Sequence, residues 1–277
     1  MTDIEQDWFV ASDDRPIFFR RAVPEAPRAV MLMLHGLHEH SGRYAELMEH
    51  FAGLGFAVYA EDHRGHGRTA RTLGDLESVD AIVGDIGTLH RNAMTDHPGL
   101  PVFVFGHSMG GLLGVLYAQR TPGLAGAIFN GAAMDIPDDV PAIIVKAAGI
   151  LGVLTPRLPV QPFYDPEGLC DDPARIAAVQ VDPLYYKGKL RARTGKELLG
   201  AIRTAVKDLP HLRLPMLVTH GTADHTVPPR TSEILYGAAA SEDKELHWFD
   251  GMLHEVHNMK ARDEVIARWT AWLEPRL

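Results

Sequence analysis

Five short apolar runs, each stopped by a turn rich in glycine or histidine, constrain this chain more than any other feature. AVMLML spans 29–34 and ends at His35-Gly36, FAVYAE spans 56–61 before Asp62-His63-Arg64-Gly65, and PVFVF spans 101–105 before Gly106. GAIFN at 126–130 and PMLVTH at 215–220, ahead of Gly221, complete the set. Runs of this length without polar alternation suit strands of a parallel sheet covered on both faces. Helix-length stretches at 43–54, 79–97 and 109–121 lie between them. That alternation predicts a doubly wound α/β architecture, whose site forms beyond the carboxyl ends of the strands.

Between 132 and 205 the rhythm breaks. The stretch carries eight prolines, from Pro137 to Pro183, and nothing that reads as a central strand. Yet IIVKAAGILGVL at 143–154 is apolar enough to need a partner surface. The expectation is a mainly helical cap at 132–205, inserted between two core parts at 1–131 and 206–277. Ile143, Ile144, Ile150, Leu151, Val153 and Leu154 give this stretch unusually many apolar groups for a solvent-facing lid. The final stretch, 258–273, reads as a closing helix.

Composition narrows the function classes. With 277 residues, 46% hydrophobic and 23% charged, the chain is neither disordered nor fibrous. A formal charge of -9 argues against non-specific nucleic-acid binding. The single Cys170 cannot form an internal disulfide or a cysteine-rich metal site. Its neighbours Asp171 and Asp172 offer acid rather than base, so a passive thiol is expected. The amino-terminal MTDIEQDWFV starts acidic and lacks the basic-then-apolar order of a secretory signal. No apolar run reaches the roughly 20 residues of a membrane-spanning helix. The expected location is cytoplasmic.

Gly106-His107-Ser108-Met109-Gly110 stands between PVFVF and LLGVLYAQR, a G-x-S-x-G in a strand–turn–helix setting. Such a turn holds a serine on a sharp bend, where side chains at Gly106 and Gly110 would collide with backbone. Ser108 is the candidate nucleophile. A neutral hydroxyl is a poor one, so a histidine must take its proton and an acid must orient that histidine. Asp224 follows PMLVTH and His254 follows LHWFD, giving the order serine, aspartate, histidine expected on this architecture. His257 is the rival base and Asp250 the rival acid. His107 adjoins Ser108, but successive side chains should point apart, so a supporting role is expected. After the first run, a flexible His35-Gly36 turn can aim the Leu37 N–H toward the reacting carbon. The Met109 N–H would be the second oxyanion donor.

His35, His38 and His40 invite a metal reading, but His38-Glu39-His40 and His254-Glu255-Val256-His257 lack the H-E-x-x-H spacing. Loop support explains them more simply. Asp62 to Gly67, DHRGHG, reads as a wall of the site or a support for it.

HGLHEHSGRY at 35–44, DHRGHG at 62–67, GHSMGG at 106–111, VDPLYYKGKL at 181–190, HGTADHTVP at 220–228 and LHEVHN at 253–258 resemble the monoacylglycerol lipase and lysophospholipase family of α/β-hydrolases. The resemblance extends across nearly the whole chain. It implies an α/β-hydrolase fold with a mostly parallel sheet and an inserted, mainly helical cap. It also implies Ser108 as nucleophile, Asp224 as acid, His254 as base, and Leu37 and Met109 N–H groups as the oxyanion hole. Such enzymes cleave an ester of one fatty acyl chain, commonly monoacylglycerol, without metal or organic cofactor. Their cap forms an apolar tunnel that can touch membrane lipid. A lysophospholipase, general carboxylesterase or thioesterase would use the same triad, whereas a binding scaffold would leave it unused. Two departures bear on substrate preference: RTARTLGDLESVD follows DHRGHG, and His257 stands where an aromatic residue is common.

Overall fold

The chain opens with a hairpin that the apolar runs do not reveal, β1 (Ile4–Val10) antiparallel to β2 (Pro16–Ala22). β1 is an edge strand with only Phe9 fully buried, so it shows none of the continuous apolar character of the interior strands. The next strand, β3 (Ala29–Leu34), is AVMLML with all six residues buried. In order follow α1 (Ala45–Gly53), β4 (Phe56–Glu61), α2 (Val79–Asp96), β5 (Val102–His107), α3 (Met109–Arg120) and β6 (Gly126–Asn130). An inserted region then supplies α4 (Ala142–Leu154), β7 (Pro159–Gln161), α5 (Pro173–Val181), β8 (Leu190–Arg191) and α6 (Ala192–Asp208). The chain returns to the sheet with β9 (Met216–Gly221), α7 (Arg230–Ala238), β10 (Lys244–Phe249) and α8 (Arg262–Leu273).

This computed structural model describes residues 2–136, 140, 142–161 and 165–277, without the side chains of residues 142, 144 and 146. Pro137, Pro141, Pro162 and the side chain of Ile144 therefore lie outside the described residues.

The eight-stranded sheet has the order β1-β2-β4-β3-β5-β6-β9-β10. From β4 to β10 every pairing is parallel, and only the β1–β2–β4 edge is antiparallel. One apolar cluster joins α2, α3 and α6 to one face, through Leu89, Leu112 and Ala205 among others. A second, with Met48, Phe51, Trp269 and Trp272, joins α1 and α8 to the other. This is an α/β-hydrolase fold with helices on both faces and a helical insertion between β6 and β9. Burying a side chain such as Phe51 contributes about 1.5–3 kcal/mol, so both faces hold the sheet's strand ends in place.

Local signals set the helix ends. The Ser78 hydroxyl accepts the Ala81 N–H at the start of α2, and Asp172 accepts the Ala174 N–H ahead of Pro173 in α5. The insertion is tied to the core by polar contacts. Arg193 donates to Asp75 from Nε at 2.8 Å and Nη2 at 2.5 Å, and the Thr194 hydroxyl donates to the Gly74 carbonyl. The unusual stretch after DHRGHG is therefore a mooring for the base of α6. Among the described residues, no helix is long and apolar enough to cross a membrane.

Candidate active site

Ser108 sits between the end of β5 and the start of α3 with φ 54° and ψ -119°, a backbone region that a side chain rarely adopts. Such strain costs about 1–3 kcal/mol and persists only where surrounding structure enforces it. Here the Ser108 N–H donates to the Asn130 carbonyl at 2.9 Å, while the Ser108 carbonyl accepts the Leu112 and Ala133 N–H groups. The flanking glycines leave the room this bend needs. A Cβ on Gly106 would lie 2.4 Å from the Gly110 carbonyl oxygen, and one on Gly110 would lie 2.1 Å from that of Leu34.

Asp224 and His254 come from the loops after β9 and β10. The His254 Nδ1–H donates to Asp224 Oδ2 at 2.6 Å, and both side chains are buried. Asp224 Oδ1 accepts the N–H groups of Thr226 and Val227. Burial alone would push Asp224 up, but the attraction and hydrogen bonds of His254 and His220 hold it well below the usual carboxylate range. Burial likewise opposes a charged His254, and the Asp224 carboxylate outweighs it, raising His254 above its ordinary value. The rivals are placed differently. His257 stacks on Tyr44 with ring centroids 5.3 Å apart, and burial lowers it to about 3. Asp250 is exposed and accepts the Thr222 hydroxyl. The His107 Nδ1 faces the Asn130 side-chain amide at 2.9 Å, a supporting contact, although its ring is 4.6 Å from that of His254.

The loop after β3 is braced on both sides of one peptide. The His63 N–H donates to His35 Nε2 at 3.0 Å, so the ring proton is on Nδ1, which donates to the Gly36 carbonyl at 2.8 Å. The Gly36 carbonyl and Leu37 N–H share one trans peptide plane and point in opposite directions. Holding the carbonyl therefore aims the Leu37 N–H. The Gly36 N–H donates to Glu39 Oε1 at 2.6 Å, and a Cβ on Gly36 would fall 2.6 Å from that same oxygen. That Cβ would also lie 3.3 Å from the Ser108 Cβ, so the space beside that serine is tight. Met109 is the first residue of α3, where a helix leaves its N–H without an intrahelical acceptor.

Glu39 also takes the Tyr44 hydroxyl and Arg43 Nη1, each at 2.7 Å. Arg43 forks onto both oxygens of Glu255, also at 2.7 Å. One guanidinium thus links the loop carrying Leu37 to the loop carrying His254. Although burial opposes its charge, Glu255 is held well below the carboxylate range by Arg43. Burial raises Glu39, which shares that cation. Nothing in the local sequence marks this linkage, because Arg43 and Glu255 lie 212 positions apart.

His38, His40 and His63 make contacts within or between loops. His40 Nε2 lies 2.8 Å from Asp182 Oδ2, His38 meets Tyr186 edge-on at 4.8 Å, and His63 Nδ1 lies 3.0 Å from Glu61 Oε1. Asp62, at the head of DHRGHG, accepts the backbone N–H groups of Ser41 and Arg68, so this loop supports the site from behind. Burial pushes the Cys170 thiol up to about 11.

Two cavities meet at Ser108. The larger, about 330 Å³, is lined by Leu37, Met109 and Leu112 of the core, Val145, Ala148 and Leu151 of α4, and Leu198, Leu199 and Ile202 of α6. The smaller, about 20 Å³, is polar and bordered by Glu39, Asp165, Tyr185, Thr226, His254 and Glu255. The sequence groups the apolar residues of α4 into one surface, and the structure divides them. Leu151 lines the cavity, whereas Ile143, Ile150, Val153 and Leu154 are between 65% and 74% exposed.

A strained serine on the central strand of a doubly wound sheet, roofed by a helical insertion, marks a serine hydrolase of the α/β-hydrolase fold. The chain belongs to the monoacylglycerol lipase-like α/β-hydrolases, since residues 25–260 match the Hydrolase_4 family model, described as serine aminopeptidase, S33. The monoacylglycerol lipase of Mycolicibacterium smegmatis is 37% identical over 252 residues, 91% of this chain and 90% of that protein. The monoglyceride lipase of Homo sapiens is 33% identical over 251 residues, 90% of this chain and 82% of that protein. The crystal structure of the Paleococcus ferrophilus monoacylglycerol lipase has a TM-score of 0.84 at 29% identity, covering 99% of this chain and 100% of that one.

Proposed function

We propose that this enzyme hydrolyses esters of a single fatty acyl chain, monoacylglycerol foremost, to a free fatty acid and the alcohol. The observation that carries the reading is that Ser108 borders both an apolar cavity and a small polar one. The acyl chain would lie in the first, where each buried CH₂ contributes about 0.8 kcal/mol. The second, about 20 Å³, has room for about one water-sized group, so it would admit one hydroxyl of the alcohol or the hydrolytic water rather than the whole alcohol. Glu39, Asp165 and Glu255 border that space, and Glu39 and Glu255 are held there by Arg43.

In this mechanism His254 removes the Ser108 proton as the oxygen attacks the acyl carbon, and Asp224 orients the imidazole and stabilises its charged form. The Leu37 and Met109 N–H groups receive the developing oxyanion. The protonated His254 then delivers its proton to the departing alcohol. A water activated by the same histidine releases the acid from Ser108. No step calls for a metal or organic cofactor. The cap, assigned to 132–205 between core parts 1–131 and 206–277, would select chain length. The exposed apolar side of α4 would rest reversibly on membrane lipid while substrate is collected.

The test is a matched panel of monoacylglycerol, diacylglycerol, triacylglycerol, lysophospholipid and acyl thioester, compared by kcat/KM for the native chain and Ser108→Ala. Monoacylglycerol is expected to lead, and Ser108→Ala to abolish turnover. A preference for lysophospholipid would replace the glycerol assignment, and a preference for triacylglycerol would sink the single-chain cavity. Turnover by a folded Ser108→Ala chain would reject the mechanism.

A further inference from the structure

A second imidazole touches the triad's acid. His220, at the carboxyl end of β9, is fully buried, and its Nε2 lies 2.9 Å from the same Asp224 Oδ2 that receives His254. The Val227 carbonyl is also 3.0 Å from this nitrogen. Both neighbours of Nε2 are acceptors, so Nε2 carries a proton and donates it. The other end of the ring is fixed as well, because Nδ1 lies 2.7 Å from the buried Ser232 hydroxyl on α7.

We propose that His220 is a positioning residue for catalysis, an imidazole anchored by Ser232 that holds Asp224 Oδ2 on His254 and tempers that oxygen's basicity. The proposal rests on the triad reading above. Its physical content is a division of labour on one carboxylate. Oδ1 is fixed by the Thr226 and Val227 N–H groups, and Oδ2 is shared between two ring N–H donors. Four donors leave the group no preferred rotation away from His254. They also spread its negative charge, so the proton that His254 gains from Ser108 stays on His254 until the alcohol leaves. Without the His220 donor, the charge on Oδ2 falls more fully on His254, and the imidazolium becomes harder to discharge.

Paired substitutions separate this role from simple packing. The amide nitrogen of Gln reaches the place of Nε2 and can still donate to Asp224. The shorter Asn reaches only the place of Nδ1, keeping a partner for Ser232 and losing Asp224. Across a pH series of kcat and KM, His220→Gln is expected to keep kcat within about 3-fold. His220→Asn is expected to lower kcat about 10- to 100-fold with KM unchanged, the range set by one hydrogen bond to a charged group.

The acid limb reports the protonation of His254, which Asp224, Glu255, Glu39, His107 and His257 also face. None of these changes in either variant, so a limb moved to higher pH in His220→Asn alone traces to Oδ2. Equal kcat and equal limbs for the two folded variants would overturn the proposal. Should His220→Asn fail to fold, Ser232→Ala releases the ring's anchor, and a limb unmoved in that chain would overturn it equally. Fluorophosphonate labelling of Ser108 in the native chain keeps the two failures apart. Loss of labelling there breaks the triad reading, whereas normal labelling with identical Gln and Asn variants breaks only the role of His220.

Discussion

On the core side of Ser108, the Gly36 carbonyl, the Gly36 N–H, the Asp224 carboxylate and the Arg43 guanidinium each meet a partner between 2.6 and 2.8 Å. On the cap side, α4 lines the cavity with Val145, Ala148 and Leu151 and turns Ile143, Ile150, Val153 and Leu154 outward. Hydrogen bonds at these lengths are directional, so in the proposed mechanism the core wall would fix where a proton or an oxyanion sits. Apolar contact is non-directional and scales with area, so the cap wall fixes how much chain can be buried. Under the proposed function, the difference would assign rate to the core and chain length to the cap.

The comparison breaks most visibly at the acid. Asp224→Asn should retain the fold and lose about 10⁴ in kcat, the scale known for the acid of a Ser-His-Asp triad. Steady-state kinetics beside a thermal unfolding curve measure this, and a loss below tenfold would contradict the assignment. Next comes the brace on the peptide proposed to donate to the oxyanion. Glu39→Ala removes the acceptor of the Gly36 N–H and one partner of Arg43. Loosening the Leu37 donor should lower kcat by about 10- to 100-fold, less than outright removal of an oxyanion donor. A loss carried by KM instead would place Glu39 in alcohol binding rather than positioning.

The cap side should respond differently. Leu151→Asp places a charge in the cavity proposed for the acyl chain and should reduce kcat/KM for long-chain monoesters at least about tenfold more than for acetyl esters, given about 0.8 kcal/mol per buried CH₂. Ile150→Asp lies on the exposed side and should leave soluble short-chain turnover unchanged, lowering only turnover of substrate presented in vesicles. Equal effects of the two on every substrate would erase the distinction between the two sides of α4.

The smallest expected effect is in the pH profile. In the proposed mechanism His254 must be neutral to accept the Ser108 proton, and Asp224 raises it above the ordinary 6.5. Activity should therefore fall as pH drops through a midpoint above 6.5. A midpoint below that value would indicate that Asp224 does not act on His254 as described.

The interior strands were legible because they are buried on both faces. AVMLML, FAVYAE and GAIFN read as continuous apolar runs and coincide with β3, β4 and β6. The β1–β2 hairpin was not legible, since IEQDWFV mixes charge into an exposed edge. The half-buried KELHWF of β10 was read only in part for the same reason. At the site, local motifs single out Ser108, Asp224 and His254, which fall at strand ends gathered at one end of the sheet. The Arg43 fork onto Glu255 joins distant segments and leaves no local trace. His220 carries one local signal, a histidine near the end of a buried strand four positions before Asp224.

The most direct measurement is the site of covalent capture. The native chain is treated with a labelled fluorophosphonate, with and without excess monoacylglycerol, and the labelled peptide is mapped by mass spectrometry. Attachment to Ser108 alone, slowed by monoacylglycerol and lost in Ser108→Ala, is the predicted result. Attachment to another residue, or an unlabelled chain that still hydrolyses monoacylglycerol, would contradict the account.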